Sequence, residues 1–231
     1  MTSSAPEAAT PQRRLSDYFG NMELIIVILL GVVSTVTAYA SFQAALYDSQ
    51  MAGAYTKGQA AGTEAESLYL EANQTYIQDV QLWSTLTQLS IDAESADAAI
   101  AQSASDKYDV MYFQSVSEGL DGAITWAADE NEADPAVYTA PFDNEDYMNT
   151  LFSPYSESQE KAEKLIAEGD TYNSLSDRLT LNTVLMAISL FLLGVAAVVK
   201  GRRAQIGLTA IATVVFVAAA AMTVSIPFVG L

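Results

Sequence analysis

The chain has 231 residues, 28 acids against 10 bases, no histidine and no cysteine, yet 51% of it is apolar. A net charge of −18 beside that apolar fraction does not suit one water-soluble globule, so charge and apolarity must be segregated along the chain. The missing residue types exclude disulfides, thiolate nucleophiles, histidine general bases and zinc sites of the usual thiolate and imidazole kind.

Counting by segment shows the segregation. From Asp48 to Arg178 there are 25 acids and 5 bases; the rest of the chain holds 3 acids and 5 bases. The uncharged windows are Leu24 to Leu46, Leu179 to Val199 and Ala204 to Leu231. A hydrocarbon core about 30 Å thick needs roughly 20 helical residues, so each window is long enough to span it. The expected fold class is therefore an all-α membrane protein with three transmembrane helices and a large acidic, helical domain between the first and second. That domain is expected outside the cytoplasm, as a coiled-coil-like hairpin or a bundle.

Lysine and arginine near span ends stay on the cytoplasmic side. Arg13 and Arg14 precede the first span, and Lys200, Arg202 and Arg203 fill the turn between the second and third. The expected organisation in chain order is a cytoplasmic tail over 1–22, a first span over 23–46 and an extracytoplasmic domain over 47–178 with an irregular loop near 129–153. A second span over 179–199, a basic cytoplasmic turn over 200–203 and a third span over 204–228 complete it. The expected location is the plasma (inner) membrane, multi-pass, with residues 48–178 and the C-terminus outside. Ala38-Tyr39-Ala40 before Ser41 imitates a signal-peptide cleavage site, but the apolar run continues past it through Phe42, Ala44, Ala45 and Leu46, so an uncleaved anchor is expected. Tyr39, Phe42, Tyr47 and Phe228 fall at the span boundaries, as an interfacial aromatic belt does.

Between Pro11 and Pro135 there is no proline, and the stretch is rich in good helix formers. Ala61, Ala65, Leu68, Ala72, Thr75, Asp79, Leu82, Leu86, Leu89, Ala93, Ala96 and Ile100 follow a 4-3 repeat that only Thr75 and Asp79 break. Such a stripe is the ordinary seam of packed helices, and its many alanines predict close approach of the partner. Gly58 and Gly62 are the points where this arm would break. A second stripe, Tyr108, Met111 or Tyr112, Val116, Leu120, Ile124 and Ala127, predicts a new helix that Ser105 or Asp106 would cap. After the loop, Pro154 suits a first helical turn, with Glu157, Glu160, Lys161 and Lys164 offering i,i+4 pairs. A seam of Ala162, Leu165, Gly169, Tyr172, Ser176, Leu179 and Thr183 then runs into the second span without a break.

The chemistry-bearing candidates are few. Asp129, Glu130, Glu132, Asp134, Asp143, Glu145 and Asp146 would supply oxygen ligands for Ca²⁺, but no EF-hand spacing is present, and a solvated acidic loop explains them as well. No other cofactor and no catalytic residue is expected, because two facing carboxylates in a cleft are what an acid-residue hydrolase needs and no such arrangement is legible. The apolar windows hold no Asp, Glu, Lys or Arg, which proton relays and charged substrate sites normally show. Their polar residues, Ser34, Thr35, Thr37, Gln43, Asn182, Thr183, Thr209 and Thr213, would either line a pore or join helices.

The run Thr37-Ala38-Tyr39-Ala40-Ser41-Phe42-Gln43-Ala44, followed by YTKGQAAGTEAESLYLEAN, IQDVQLW, YTAPFDNEDYM and KGRR, resembles a family of three-span bacterial membrane proteins of unassigned function. The family's first span ends in a similar T-A-aromatic-x-x-aromatic-Q-A run. The resemblance implies topology and no activity. The function expected is a scaffold or partner-binding protein, homo-oligomeric because a thin helical stalk buries little apolar surface alone. The alternative is a subunit of a cation channel or transporter with an acidic vestibule. Expected partners are the lipid bilayer, further copies of the chain and another envelope protein; the acids argue against nucleic acid.

Overall fold

The computed structural model describes residues 22 to 230. The expected cytoplasmic tail, with Arg13 and Arg14, lies outside the described residues apart from Met22. Among the described residues five α-helices and one short 3₁₀ turn follow one another: α1 Met22–Ala93, α2 Ala98–Ser115, α3 Glu118–Ala133, the turn Pro141–Asp143, α4 Glu145–Val198 and α5 Arg202–Val224. No strand occurs among the described residues. Three of the helices, α1, α4 and α5, are long and apolar enough to cross a membrane.

The chain divides into two compact units, one formed by the chain up to Gly53 together with Glu168 onward, the other by Ala54–Ala167. In the first unit Ile26, Val33 and Ala40 of α1, Met186, Leu193 and Ala196 of α4, and Ala212 and Ala219 of α5 make one buried cluster. Seven-residue steps recur along this cluster, from Ile26 to Val33 and Ala40, from Met186 to Leu193 and from Ala212 to Ala219, keeping one face of each helix inward. Polarity is turned inside out here. Gln43, Ser176, Asn182, Ser189, Thr209 and Thr223 are buried, while Val27, Ile28, Leu181, Phe191, Val214 and Val217 stand exposed. Apolar side chains facing outward with polar ones between helices is the pattern that lipid, not water, favours. The α4 seam steps from Leu179 to Asn182 and Met186, so Asn182 is buried and the expected Thr183 lies at its flank. Two successive steps of three, from Ser176 to Leu179 and on to Asn182, shift the seam by one position from the strict alternation that would have reached Thr183.

In the second unit α1 carries the expected seam through Ala61, Ala65, Ala72, Asp79 and Leu86, all buried, whereas Ala96 and Ile100 are exposed. Helix α1 has by then ended in a turn, Glu94 N–H donating to Ile91 O and Ser95 N–H to Asp92 O. The next helix starts earlier than the sequence stripe suggests. Asp97, not Ser105 or Asp106, caps α2, its carboxylate accepting from the N–H groups of Ala99 and Ile100 at 2.9 and 3.4 Å. Asp106 sits inside α2 and accepts from Gln102 one turn back. Ser117 then caps α3, accepting from Leu120 N–H.

The expected irregular stretch is much shorter than 129–153. Helix α3 runs to Ala133, and α4 begins at Glu145, where Asn144 accepts from Tyr147 N–H as a cap. Asn131 ties the intervening segment down: its amide donates to Ala127 O and Thr139 O and accepts from Thr139 N–H. Pro154 accordingly lies inside α4 instead of in its first turn. Neither Gly58 nor Gly62 breaks α1. A Cβ on Gly58 would lie 2.9 Å from Ile166 Cδ1 and 3.3 Å from Ala162 O, so this glycine marks close helix approach. Ser158 Oγ donates across to Ala61 O at 3.0 Å nearby. Of the proposed charge pairs, Glu160 and Lys164 meet at 2.6 Å, fully in solvent.

Candidate functional site

Most polar residues of the apolar windows hydrogen-bond to backbone carbonyls of their own helix. Thr35 Oγ1 donates to Gly31 O, Thr37 to Val33 O, Thr209 to Gln205 O and Thr213 to Thr209 O, each one turn back in its own helix. Thr183 donates to Thr180 O, and Ser34 is exposed. Ser189 reaches Ala212 O of α5 at 2.7 Å, and Ser176 reaches Ala44 O at 3.2 Å, so these two buried hydroxyls join helices. Gln43 does something the sequence did not suggest. Its amide accepts from Val229 N–H at 3.0 Å and donates to Val229 O at 3.3 Å, while Tyr47 OH donates to Pro227 O at 2.8 Å. Together they pin the segment after α5 onto α1. Asn182 is the exception, fully buried with neither its Nδ2 nor its Oδ1 hydrogen-bonded.

The acidic candidates disperse. Asp129, Glu130, Glu132 and Asp134 are exposed at the end of α3 and just past it, Asp134 accepting from Ala136 N–H. Asp143 accepts from Ala140 N–H, and Glu145 and Asp146 occupy the first turn of α4, where carboxylates face the positive helix end. Among the described residues no three acids gather around a point that would hold a metal ion.

The structure instead draws attention to Asp79, which the sequence marks only as a break in an apolar stripe. It is 8% exposed, and Tyr147 OH donates to its Oδ2 at 2.7 Å. Tyr147 lies on α4, held against Leu120 and Ala123 of α3, with Phe142 and Tyr76 in the same cluster. The Phe142 ring meets Tyr76 edge-on at 5.4 Å and Tyr147 at 6.0 Å. Burial, then the Asp79 hydrogen bond and charge, hold the Tyr147 phenol well above its usual range, so it stays a donor. Beside the pair opens a cleft of about 320 Å³ lined by Leu68, Glu71, Ala72, Thr75, Asp79, Ser117, Gly119, Tyr147, Thr150, Leu151 and Pro154. A roomier groove of about 810 Å³ between the end of α1 and α2 is lined by exposed or half-exposed side chains such as Gln102, Lys107 and Val110, with no buried polar group. By chemistry the smaller cleft is the better site.

No family model, no curated protein and no solved structure matches this chain. The resemblance carried by residues 37–44 therefore lends no function, and the reading below is argued from this chain's own side chains.

Proposed function

We propose that this is a three-span membrane scaffold, homo-oligomeric, that displays an acidic helical unit outside the cytoplasm for a partner or ligand to bind. The single observation that supports anchoring over conduction is the state of the membrane-window hydroxyls. Thr35, Thr37, Thr209, Thr213, Thr223 and Ser189 all donate to backbone carbonyls, and no ionisable side chain accompanies them. Bonded into their own helices or across to the next, they serve as helix-packing groups, the role small hydroxyls ordinarily take in membrane helices. In this reading Lys200, Arg202 and Arg203 stay cytoplasmic, and the pinned segment at Pro227 and Val229 lies on the side of residues 48–178.

The test is direct. Purified full-length protein in liposomes should pass no K⁺ or Na⁺, should migrate as a defined oligomer by native mass spectrometry, and should label from outside at a cysteine placed at Gly230. The cysteine-free background makes that label unambiguous. Cation flux that scales with protein density, and falls when acids near a span end are neutralised, would replace this reading with the channel one.

A further inference from the structure

Tyr76, Phe142 and Tyr147 pack into the interior of their unit, but a second trio of rings stays near its surface. Tyr69 of α1 is 45% exposed and meets two rings of α4, Tyr155 at 5.3 Å and Phe152 at 6.2 Å between centroids. Phe152 and Tyr155 are three positions apart, so one face of α4 presents both to Tyr69 and fixes its ring. The Tyr69 and Tyr155 planes are inclined at 58°, and both rings line an open pocket of about 420 Å³ with Glu66, Leu70 and Gln159.

The chemistry of this lining favours a cation. Aromatic rings attract positive charge over their faces, and here two inclined rings stand beside the Glu66 carboxylate. No Lys or Arg lines the pocket, and Gln159 already donates its Nε2 N–H to Glu163 at 3.0 Å. The wider charge acts the same way, since residues 54–167 hold 21 acids and 4 bases and raise the local concentration of cations.

We propose that this pocket binds a quaternary ammonium, its trimethylammonium group on the Tyr69 and Tyr155 rings, with Glu66 as counter-charge and Leu70 against its methyls. The walls select the kind of cation. Mg²⁺ keeps several waters and Ca²⁺ takes six to eight oxygens, a set that one carboxylate, one amide and two phenols do not make. A primary ammonium has three N–H donors to satisfy, whereas a quaternary one has none and carries its charge on methyl groups that aromatic and apolar surface accepts. The proposal goes beyond the scaffold reading and stands without it, because every residue it uses lies within the Ala54–Ala167 unit.

The experiment is saturation-transfer NMR on the full-length protein at fixed ionic strength, with choline as the probe. The nanodiscs are made of phosphatidylglycerol, which has no trimethylammonium of its own. Choline should bind saturably, be displaced by tetramethylammonium and not by equal K⁺, and bind at least about fivefold more tightly than dimethylbutanol, its uncharged carbon isostere. Tyr69→Leu, Tyr155→Leu and Glu66→Gln should each weaken choline about threefold or more, Tyr69→Phe should stay within about twofold because the ring is kept, and Glu130→Gln with Glu132→Gln should change nothing. Glu66 and Tyr69 are exposed, so their variants read the site even where Tyr155→Leu disturbs α4. Glycerophosphocholine separates the sources: displacement of choline at equal concentration assigns the site to a lipid headgroup, and no displacement assigns it to a free quaternary amine. The proposal fails if choline does not bind, if dimethylbutanol binds equally well, if K⁺ competes as well as tetramethylammonium, if the leucine variants bind like the parent, or if the Glu130 and Glu132 changes weaken binding as much as Glu66→Gln does.

Discussion

Replacing Asn182 by leucine should stabilise the protein. The side chain is fully buried between the apolar clusters of Leu179 and Met186, and both its amide atoms lack partners. A buried polar group without a partner costs about 1–3 kcal/mol on the mutational scale. Leucine has a similar branched shape and suits the seam, though its extra bulk returns part of the gain as strain. The net expectation is about 2 kcal/mol, equivalent to a rise in melting temperature of about 4–8 °C for a chain of this size. Equilibrium unfolding in mixed micelles, titrated with a denaturing detergent and followed by circular dichroism, measures it. Asn182→Ala is the control, since it removes the amide but leaves a void, and it should gain less than leucine or lose stability. If Asn182→Leu melts below the parent while Asn182→Ala does the same, the amide has partners and the reasoning is refuted.

Three further outcomes follow from other features. Gly58→Ala should destabilise by about 1 kcal/mol, since its Cβ would meet Ile166 and the Ala162 carbonyl, while Gly53→Ala, with nothing within 4 Å, should stabilise by about 0.5–1 kcal/mol through helix propensity; chemical denaturation of the pair shows whether the signs differ. Tyr47→Phe should cost about 1 kcal/mol and, with Gln43→Leu, should speed hydrogen exchange at Val229 N–H, whereas unchanged exchange would mean that the segment is held by packing alone. Burial followed by the Asp121 hydrogen bond pushes Tyr112 up to about 12, and Tyr147 is raised further in the same way through Asp79. A phenol raised in the folded state adds stability below its unfolded value near 10 and loses it as pH climbs through the folded value, so unfolding midpoints should hold steady up to about pH 10 and then fall, less steeply in Tyr147→Phe.

The three apolar helices were legible because each needs only a count of uncharged residues, and the α1 seam because its period repeats. Other features depended on competition between equivalent local signals. Asp97, Ser105 and Asp106 are all acceptable caps, and only the turn that closes α1 at Ile91 to Ser95 selects the first. Pro154 read as a helix start because a proline in mid-helix costs a hydrogen bond, yet Asn144 caps α4 three turns earlier and the helix carries the proline. Asp79 appeared as a flaw in a stripe because its partner, Tyr147, lies 68 positions away, beyond any local pattern. For the same reason nothing in the span sequences signalled that Gln43 grips a backbone 186 residues downstream.

That grip and the cluster around it impose an order on biosynthesis. The first unit joins the chain up to Gly53 with residues from Glu168 onward, so a ribosome must deliver all of 54–167 before the α1 part of this unit meets its α4 part. At about 5–20 residues per second this takes on the order of ten seconds. Throughout that interval Ile26, Val33, Ala40 and Gln43 have no α4 or α5 to face, and a chain stalled before Glu168 leaves them uncovered for good. The same long separation that conceals these contacts from a reader of the sequence makes the first part of α1, up to Gly53, an orphan in the cell until translation is nearly done.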